Sequence, residues 1–176
     1  MSEYRKIRGD GLYYLTFMVV GWLDIFTRPA YTNVIVDSLK FCQQKKGLEL
    51  YAYVIMTNHL HLIASRPEGE LSYVVRDFKS FTAKQLLNSV LTNEQESRKD
   101  WMEMVFRFHG ARTQQNEEYA FWQKTNHPTE LYTNAVIDQK VDYIHQNPVR
   151  AGFVSEAQEW IHSSASPLSP IRVLDL

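Results

Sequence analysis

The stretch LELYAYVIMTNHLHLIAS, Leu48 to Ser65, consists of two apolar runs separated by the polar pair Thr57-Asn58. Both runs are rich in aromatic and branched side chains, which is typical of β-strands, and a short polar pair between two such runs favours a tight turn. The stretch therefore predicts a β-hairpin whose second strand, HLHLIAS, begins at His59. The rest of the predicted fold is arranged around this hairpin.

Two histidines lie one residue apart in the second predicted strand. Because alternate side chains of a strand point to opposite faces, His59 and His61 share one face, and Leu60 and Leu62 share the other. Two adjacent imidazoles can bind one divalent ion, but histidines on a half-exposed strand are also often plain surface residues. A third ligand would be needed to decide between these interpretations.

Two other classes of phosphate enzyme use similar histidine patterns, and neither fits. Histidine-triad nucleotide hydrolases need a third alternating histidine, where this chain has Ile63. Two-histidine phosphoesterases need His-x-Ser/Thr twice, and the residue two positions after His61 is again Ile63.

The segments around the hairpin alternate between strand-like and helix-like patterns. A first strand is predicted in residues 11–23, and helices follow from the apolar periodicity of later segments. The predicted helices are FTRPAYTNVIVDSLKFCQQKKG (ending at Gly47), SYVVRDFKSFTAKQLLNSVL, NEQESRKDWMEMVFRFHG, and a last one from Thr133 or Asn134 that stops before Pro148. A short strand is predicted near Phe121 and Trp122.

This order of elements predicts the α+β class. We expect a ferredoxin-like (split β-α-β) antiparallel sheet with helices packed on one face. Residues 1–165 are predicted to form one catalytic domain, and residues 166–176 a loosely held C-terminal tail.

Composition limits the class of protein further. The chain has 176 residues, of which 44% are hydrophobic and 13% aromatic, and this predicts a globular protein with a substantial core. The single cysteine, Cys42, excludes a disulfide framework and favours a reducing compartment. The charged N-terminus has no apolar leader, and no apolar run is long enough to span a bilayer, so we expect a cytoplasmic protein without a membrane partner. The formal net charge of −1 gives no overall attraction to nucleic acid.

The last predicted helix, VIDQKVDYIHQNPV, has a buried stripe and a functional stripe beside it. The buried stripe is Ile137, Val141, Ile144 and Pro148, and the adjacent stripe is Val136, Lys140, Tyr143 and Asn147. Tyr143 and Asn147 are one turn apart and point the same way. If they meet the histidines, Asn147 could supply a third metal ligand and Tyr143 a nucleophile. Ordinary packing of an amphipathic tyrosine is the alternative.

The motif NHLHLIA followed far downstream by VDYIHQNPVRAGFV resembles the REP-associated branch of the single-tyrosine HUH transposases, where HUH stands for His, bulky hydrophobic residue, His. The resemblance extends to FWQK and EWIHSSA, and it covers the chain from the first strand to about Ala165. It implies that Tyr143 is the catalytic tyrosine, that His59 and His61 bind the metal, and that Asn147 is the third ligand. The ferredoxin-like fold of that family agrees with the predicted order of elements.

The resemblance also implies an activity. A protein of this family uses Mg²⁺ or Mn²⁺ to cleave and rejoin single-stranded DNA near palindromic hairpins through a 5′-phosphotyrosine intermediate, and it acts as a monomer or a homodimer. Two alternatives stay open: a domesticated protein that binds DNA hairpins without cleaving, and a metal-dependent phosphoesterase without covalent catalysis. The cationic residues that could contact DNA are Arg5, Lys6, Arg8, Arg76, Lys79, Lys84, Lys124 and Lys140, with Arg107 and Arg112 as further candidates.

Overall fold

The structure of the protein is a computed structural model that describes residue 7 and residues 11–176. Its strands are β1 (Tyr13–Met18), β2 (Glu49–Ile55), β3 (His59–Ser65) and β4 (Thr129–Glu130). Its helices are α1 (Pro29–Lys46), α2 (Leu71–Thr92), α3 (Lys99–Gly110) and α4 (Asn134–Arg150). Single 3₁₀ turns lie at Val20–Trp22 and Ala157–Glu159.

The four strands form one antiparallel sheet in the order β2-β3-β1-β4. This is the ferredoxin-like order, in which β1 and β3 are central. The predicted hairpin is confirmed, because β2 and β3 pair across a turn that is closed by a hydrogen bond of 2.8 Å from the Met56 amide to the His59 carbonyl. The predicted end of α1 is also confirmed, since Gly47 takes a left-handed φ of 65° directly after the helix.

The two faces of the sheet are covered by different helices. Leu15, Phe17, Leu60 and Leu62 contribute to the larger core, which includes residues of α1 and α2. Tyr14, Val54 and Ile63 point to the opposite face and pack with Ile144 of α4. The α+β class is confirmed, but the expectation that all helices lie on one face is wrong for α4. This helix follows the last strand of the ferredoxin-like unit, and its apolar stripe covers the side chains that alternation places on the second face.

Helix α4 begins where the sequence predicts, with the Thr133 side chain accepting a hydrogen bond from the Val136 amide. It does not stop before Pro148 but continues to Arg150. Proline removes the hydrogen bond that its own amide would donate and its ring crowds the carbonyl four residues earlier, which disfavours but does not forbid a following helical turn. The last turn is held by the Ala151 amide, which donates to the Asn147 carbonyl at 3.0 Å, and the Pro148 ring is buried against the sheet side of the helix.

Two further sequence expectations differ from the structure. Trp122 makes only an isolated bridge to Val19, and the fourth strand lies at Thr129–Glu130 instead. The boundary between domain and tail at residue 165 stays a prediction, but the tail is not loosely held. Ile171 is 2% exposed within the main core, and the Leu174 amide donates to the Leu50 carbonyl at 2.9 Å.

Among the residues that the structure describes, no helix has both the length and the apolar character needed to cross a membrane.

Candidate active site

His61 lies in the middle of the sheet and is held by two hydroxyl groups of the neighbouring strand. Thr16 of β1 is directly opposite His61 in the strand pairing, and Tyr14 is two residues earlier on the same face. The Tyr14 hydroxyl lies 2.8 Å and the Thr16 hydroxyl 2.9 Å from Nδ1 of His61. The Tyr14 ring also stacks on the imidazole, with 5.3 Å between ring centroids. These contacts fix both the position and the rotation of the His61 ring.

The electrostatic environment keeps His61 neutral. Burial is the main cause that lowers the pKa of His61 to about 3, and the nearby His59 and Lys140 lower it further. Burial likewise raises the pKa of Tyr14 to about 12, so its phenol stays protonated. A neutral imidazole whose Nδ1–H donates to one of the two hydroxyl oxygens keeps a lone pair on Nε2.

His59 is held in the same way by the turn before it. Its Nδ1 lies 2.7 Å from Oδ1 of Asn58, and Nδ2 of Asn58 donates to the Asp24 carboxylate at 3.1 Å. Burial lowers the pKa of His59, and a hydrogen bond to Asn147 and the charge of Asp24 oppose this shift. The centroids of the His59 and His61 rings are 4.8 Å apart. The two imidazoles are therefore side by side, as the strand alternation predicts.

Helix α4 brings its functional stripe onto this face of the sheet. Burial of Ile144 against the sheet orients the adjacent stripe toward the histidines. The ring centroid of Tyr143 lies 5.5 Å from that of His61, and the side chain of Asn147 lies near enough to His59 to affect the pKa of its imidazole. The Tyr143 side chain remains 36% exposed, so a ligand from solvent can reach it. The four predicted site residues therefore converge on one surface.

Two cations flank the tyrosine ring. The Lys140 ammonium lies 5.6 Å and the Arg150 guanidinium carbon 5.2 Å from the ring centroid of Tyr143. Lys140 also lies 4.6 Å from the Tyr14 ring centroid, which places its charge between the two tyrosines. Arg150 was not among the cationic residues that the sequence analysis selected. Its position two turns after Tyr143 on the same helix could have indicated it. Positive charge at this position attracts a phosphate and stabilises a phenolate.

The donor set fits a divalent cation. Both histidines have Nδ1 engaged by a neighbouring side chain, which is how metal-binding histidines are commonly oriented. No group of three His, Cys, Asp or Glu side chains lies close enough to hold an ion anywhere in the described part of the chain. The side chain of Asn147, which lies beside His59, carries an amide oxygen of the kind that could complete such a donor set.

The other cationic candidates are dispersed over the molecule. Arg5, Lys6 and Arg8 lie outside the described residues. Arg76, Lys79 and Lys84 are on α2, which covers the opposite face of the sheet from the histidines. Lys124 is exposed and donates to Gln114 at 3.1 Å. Of the described candidates, Lys140 is the one that the fold brings to the site.

Lys79 has a structural position that its sequence does not reveal. Its ammonium donates to the carbonyl oxygens of Gln123, at 2.7 Å, and Lys124, at 3.2 Å, and also reaches Oδ1 of Asn126 at 3.2 Å. Burial lowers its pKa to about 8. The three oxygen partners tie α2 to the loop before β4, and this placement does not favour a phosphate contact.

Sequence reasoning missed the side chains that hold the histidines. Tyr14, Thr16 and Asn58 each contact an imidazole, yet each is an ordinary residue for its strand or turn. A signal was present for the first two, because residues two apart on a strand share a face and β1 pairs with the histidine strand. The pairing register itself could not be read from the sequence.

A sequence model of the family described as Transposase IS200 like matches residues 22–120, which is more than half of the chain and includes both histidines. The chain therefore belongs to the family of IS200-like transposases. Tyr143 and Asn147 lie beyond the matched residues, so their place in the site rests on the geometry above.

The relatives are REP-associated proteins, which confirms the branch suggested by the motifs. A protein of Escherichia coli (strain K12) named REP-associated tyrosine transposase is 25% identical over 167 residues, covering 93% of this chain and 82% of that protein. A protein of Haemophilus influenzae with a provisional form of the same name is 26% identical over 165 residues, covering 93% and 85%. The solved structure of a REP-associated tyrosine transposase bound to a REP hairpin has a TM-score of 0.58 and 22% identity, covering 93% of this chain and 82% of that one, which supports the fold.

Proposed function

We propose that this protein is a metal-dependent single-stranded DNA endonuclease and strand transferase that cleaves near palindromic hairpins through a 5′-phosphotyrosine intermediate. The observation that carries this proposal is the convergence of Tyr143, from α4, with the His59 and His61 pair of β3, where the ring centroids of Tyr143 and His61 are 5.5 Å apart. The family membership and the hairpin bound by the related structure support DNA as the partner.

The residues of the site have separate roles in this proposal. His59, His61 and Asn147 would hold Mg²⁺ or Mn²⁺, and a bound ion of this kind supplies Lewis-acid polarisation of a phosphate oxygen. Tyr14, Thr16 and Asn58 keep the imidazoles oriented through their Nδ1 atoms. Lys140 and Arg150 provide positive charge for the phosphodiester beside Tyr143.

The covalent step is a transesterification that needs no nucleotide cofactor. The Tyr143 oxygen forms a bond to phosphorus while the bond from phosphorus to the 3′ oxygen breaks. The tyrosine loses its proton, and the departing 3′ oxygen gains one and leaves as a 3′-hydroxyl. One phosphodiester replaces another, so a 3′-hydroxyl from a second end can reverse the step and complete strand transfer.

The test is covalent capture of DNA by the protein with Mn²⁺. The probe is a pool of single strands that carry a hairpin between randomised tails, labelled at the 5′ end in one sample and at the 3′ end in another. We expect a denaturant-stable adduct that carries only the 3′ label, and a released 5′ fragment that a polymerase can extend. The adduct should disappear in Tyr143→Phe and persist in the control Tyr132→Phe, because Tyr132 is 79% exposed and its hydroxyl donates to the Glu130 carboxylate.

The same assay separates the two alternatives. Hairpin binding without an adduct in the native protein would favour a domesticated DNA-binding protein. Cleavage that persists unchanged in Tyr143→Phe would favour a metal-dependent phosphoesterase without covalent catalysis. Sequencing of the DNA recovered from adducts would identify the target.

A further inference from the structure

An exposed aromatic surface begins next to the candidate site and runs outward over α3. It consists of Trp22, Trp101, Val105 and Phe108, which we term the aromatic ridge. Trp22 is 59%, Trp101 50% and Phe108 52% exposed. Trp101 is four residues before Val105 and Phe108 three residues after it, so the three side chains lie on one flank of the helix. The buried residues of α3, Met102 and Phe106, lie on another flank.

Trp22 joins this flank of α3 to the active site. The backbone of Gly21 packs so closely on α3 that an added Cβ would lie 2.6 Å from a methyl group of Val105. The carbonyl of Trp22 accepts a hydrogen bond of 3.4 Å from Asn58, whose side chain also holds His59. A single side chain, Asn58, therefore separates the start of the ridge from a predicted metal ligand.

The backbone of Trp22 is held in an unfavourable conformation. Its φ of 55° lies in the left-handed region, which bulky side chains rarely adopt, and Gly21 before it has a φ of 62°. Despite this strain, the indole makes no hydrogen bond or ring contact with any other residue that the structure describes. Strained residues of this kind concentrate at ligand-binding positions, and burial in the core does not account for this one.

The chemistry of the ridge matches nucleotide bases better than a lipid or a second protein. The guanidinium carbon of Arg112 lies 3.4 Å from the ring centroid of Phe108, so the far end of the ridge combines a cation with an aromatic ring. Proteins that bind single strands without strong sequence preference combine aromatic rings for base stacking with cations for the backbone. Continuity with the phosphodiester site favours a strand that is already held there.

We propose that the aromatic ridge binds the single strand flanking the scissile phosphate, with Trp22 stacking on a base near the site and Phe108 with Arg112 acting further along. This inference rests on the proposed function for its substrate and names a contact surface that the transposase site itself does not define. It assigns a role to α3, which contributes no residue to the catalytic centre.

The test measures binding in a Tyr143→Phe background, so that cleavage does not affect the reading. The probes are a short fluorescent oligothymidine and a blunt hairpin without single-stranded tails. We expect Trp22→Ala and Phe108→Ala each to weaken oligothymidine binding by about tenfold, because stacking on one ring contributes roughly that much. Blunt-hairpin binding should be unchanged, and Trp22→Phe should restore most of the affinity. The control is Phe41→Ala, which removes a ring that is 53% exposed on α1.

Three results would overturn the proposal. The first is unchanged oligothymidine binding in Trp22→Ala and Phe108→Ala. The second is an equal loss of affinity for the hairpin and for the single strand. The third is a change of oligomeric mass in light scattering without a change in single-strand affinity. If Trp22→Ala does not fold, Phe108→Ala carries the same comparison. Normal single-strand affinity in these variants, together with cleavage by the protein that retains Tyr143, would reject the ridge alone. A protein that never cleaves but loses single-strand binding would reject the nuclease alone.

Discussion

Trp22 is a residue at which folding stability and the proposed DNA contact oppose each other. A left-handed φ destabilises a non-glycine residue by about 1–2 kcal/mol, and glycine adopts it freely, although glycine also loses more entropy on folding. We expect Trp22→Gly to raise the free energy of unfolding by about 0.5–1 kcal/mol in urea denaturation while weakening single-strand binding. Trp101→Gly, inside α3, should instead lower the free energy of unfolding by about 1 kcal/mol, because glycine is unfavourable in a helix. If both Trp22→Gly and Trp101→Gly lower the free energy of unfolding, the backbone of Trp22 is not strained.

Tyr14 and Thr16 are predicted to act on metal binding through His61. Removing both hydroxyls in Tyr14→Phe with Thr16→Val leaves Nδ1 of His61 without the contacts of 2.8 and 2.9 Å that orient it. We expect Mn²⁺ affinity, measured by titration calorimetry, to fall about 10–100-fold, which is typical when such supporting groups are lost. Tyr73→Phe, an exposed tyrosine on α2, should bind Mn²⁺ as the native protein does. Unchanged affinity in the double variant would show that the hydroxyls do not orient the ring for a metal.

At the scale of the elements, local patterns predict what is set by local contacts. Alternation placed His59 and His61 on one face, and helical periodicity placed Tyr143 and Asn147 on one stripe, and both predictions are confirmed as geometry. The face of the sheet to which a helix docks depends on the whole chain path, and this is why α4 was misplaced. Lys79 shows the same limit, because its oxygen partners are about 44 residues away in sequence.

The C-terminal segment gives a direct test of its packing. Ile171 is 2% exposed and Leu168 is 75% exposed, although both are aliphatic and only three residues apart. We expect Ile171→Ala to lower the free energy of unfolding by about 2–4 kcal/mol, as large-to-small changes in cores do, and Leu168→Ala to change it by less than about 0.5 kcal/mol. Equal effects in chemical denaturation would mean that residues after 165 do not contribute to the core.

For the whole molecule, one buried carboxylate connects elements that are distant in sequence. The Glu96 side chain is fully buried, accepts hydrogen bonds of 3.0 Å from both Arg28 and Arg98, and lies 3.4 Å from the Tyr31 hydroxyl. Arg28 precedes α1 and Arg98 precedes α3, so the carboxylate links the starts of two helices. Arg98 also donates to the Asp24 carbonyl at 3.0 Å, in the loop whose carboxylate holds Asn58. The support of His59 therefore continues into a network built on a fully buried carboxylate.

This network predicts how stability depends on pH. Hydrogen bonds from Arg98 are the main cause that lowers the pKa of Glu96 from 4.5 to about 2, against the opposing effect of burial. Because the folded pKa is below the unfolded one, the stabilisation is complete above pH 4.5 and is lost as the pH falls toward about 2. We expect Glu96→Gln to lower the free energy of unfolding at neutral pH by about 2–3 kcal/mol. This is less than for a fully buried ion pair, because the guanidinium groups are partly exposed and water screens their charge.

The decisive comparison is the slope of stability against pH. In Glu96→Gln, urea denaturation between pH 4.5 and about 2 should show a shallower decline than in the native protein, because the group that titrates there is absent. The control Glu94→Gln removes an exposed carboxylate two residues away and should retain the native slope. Parallel curves for the native protein and Glu96→Gln would mean that other carboxylates govern acid unfolding.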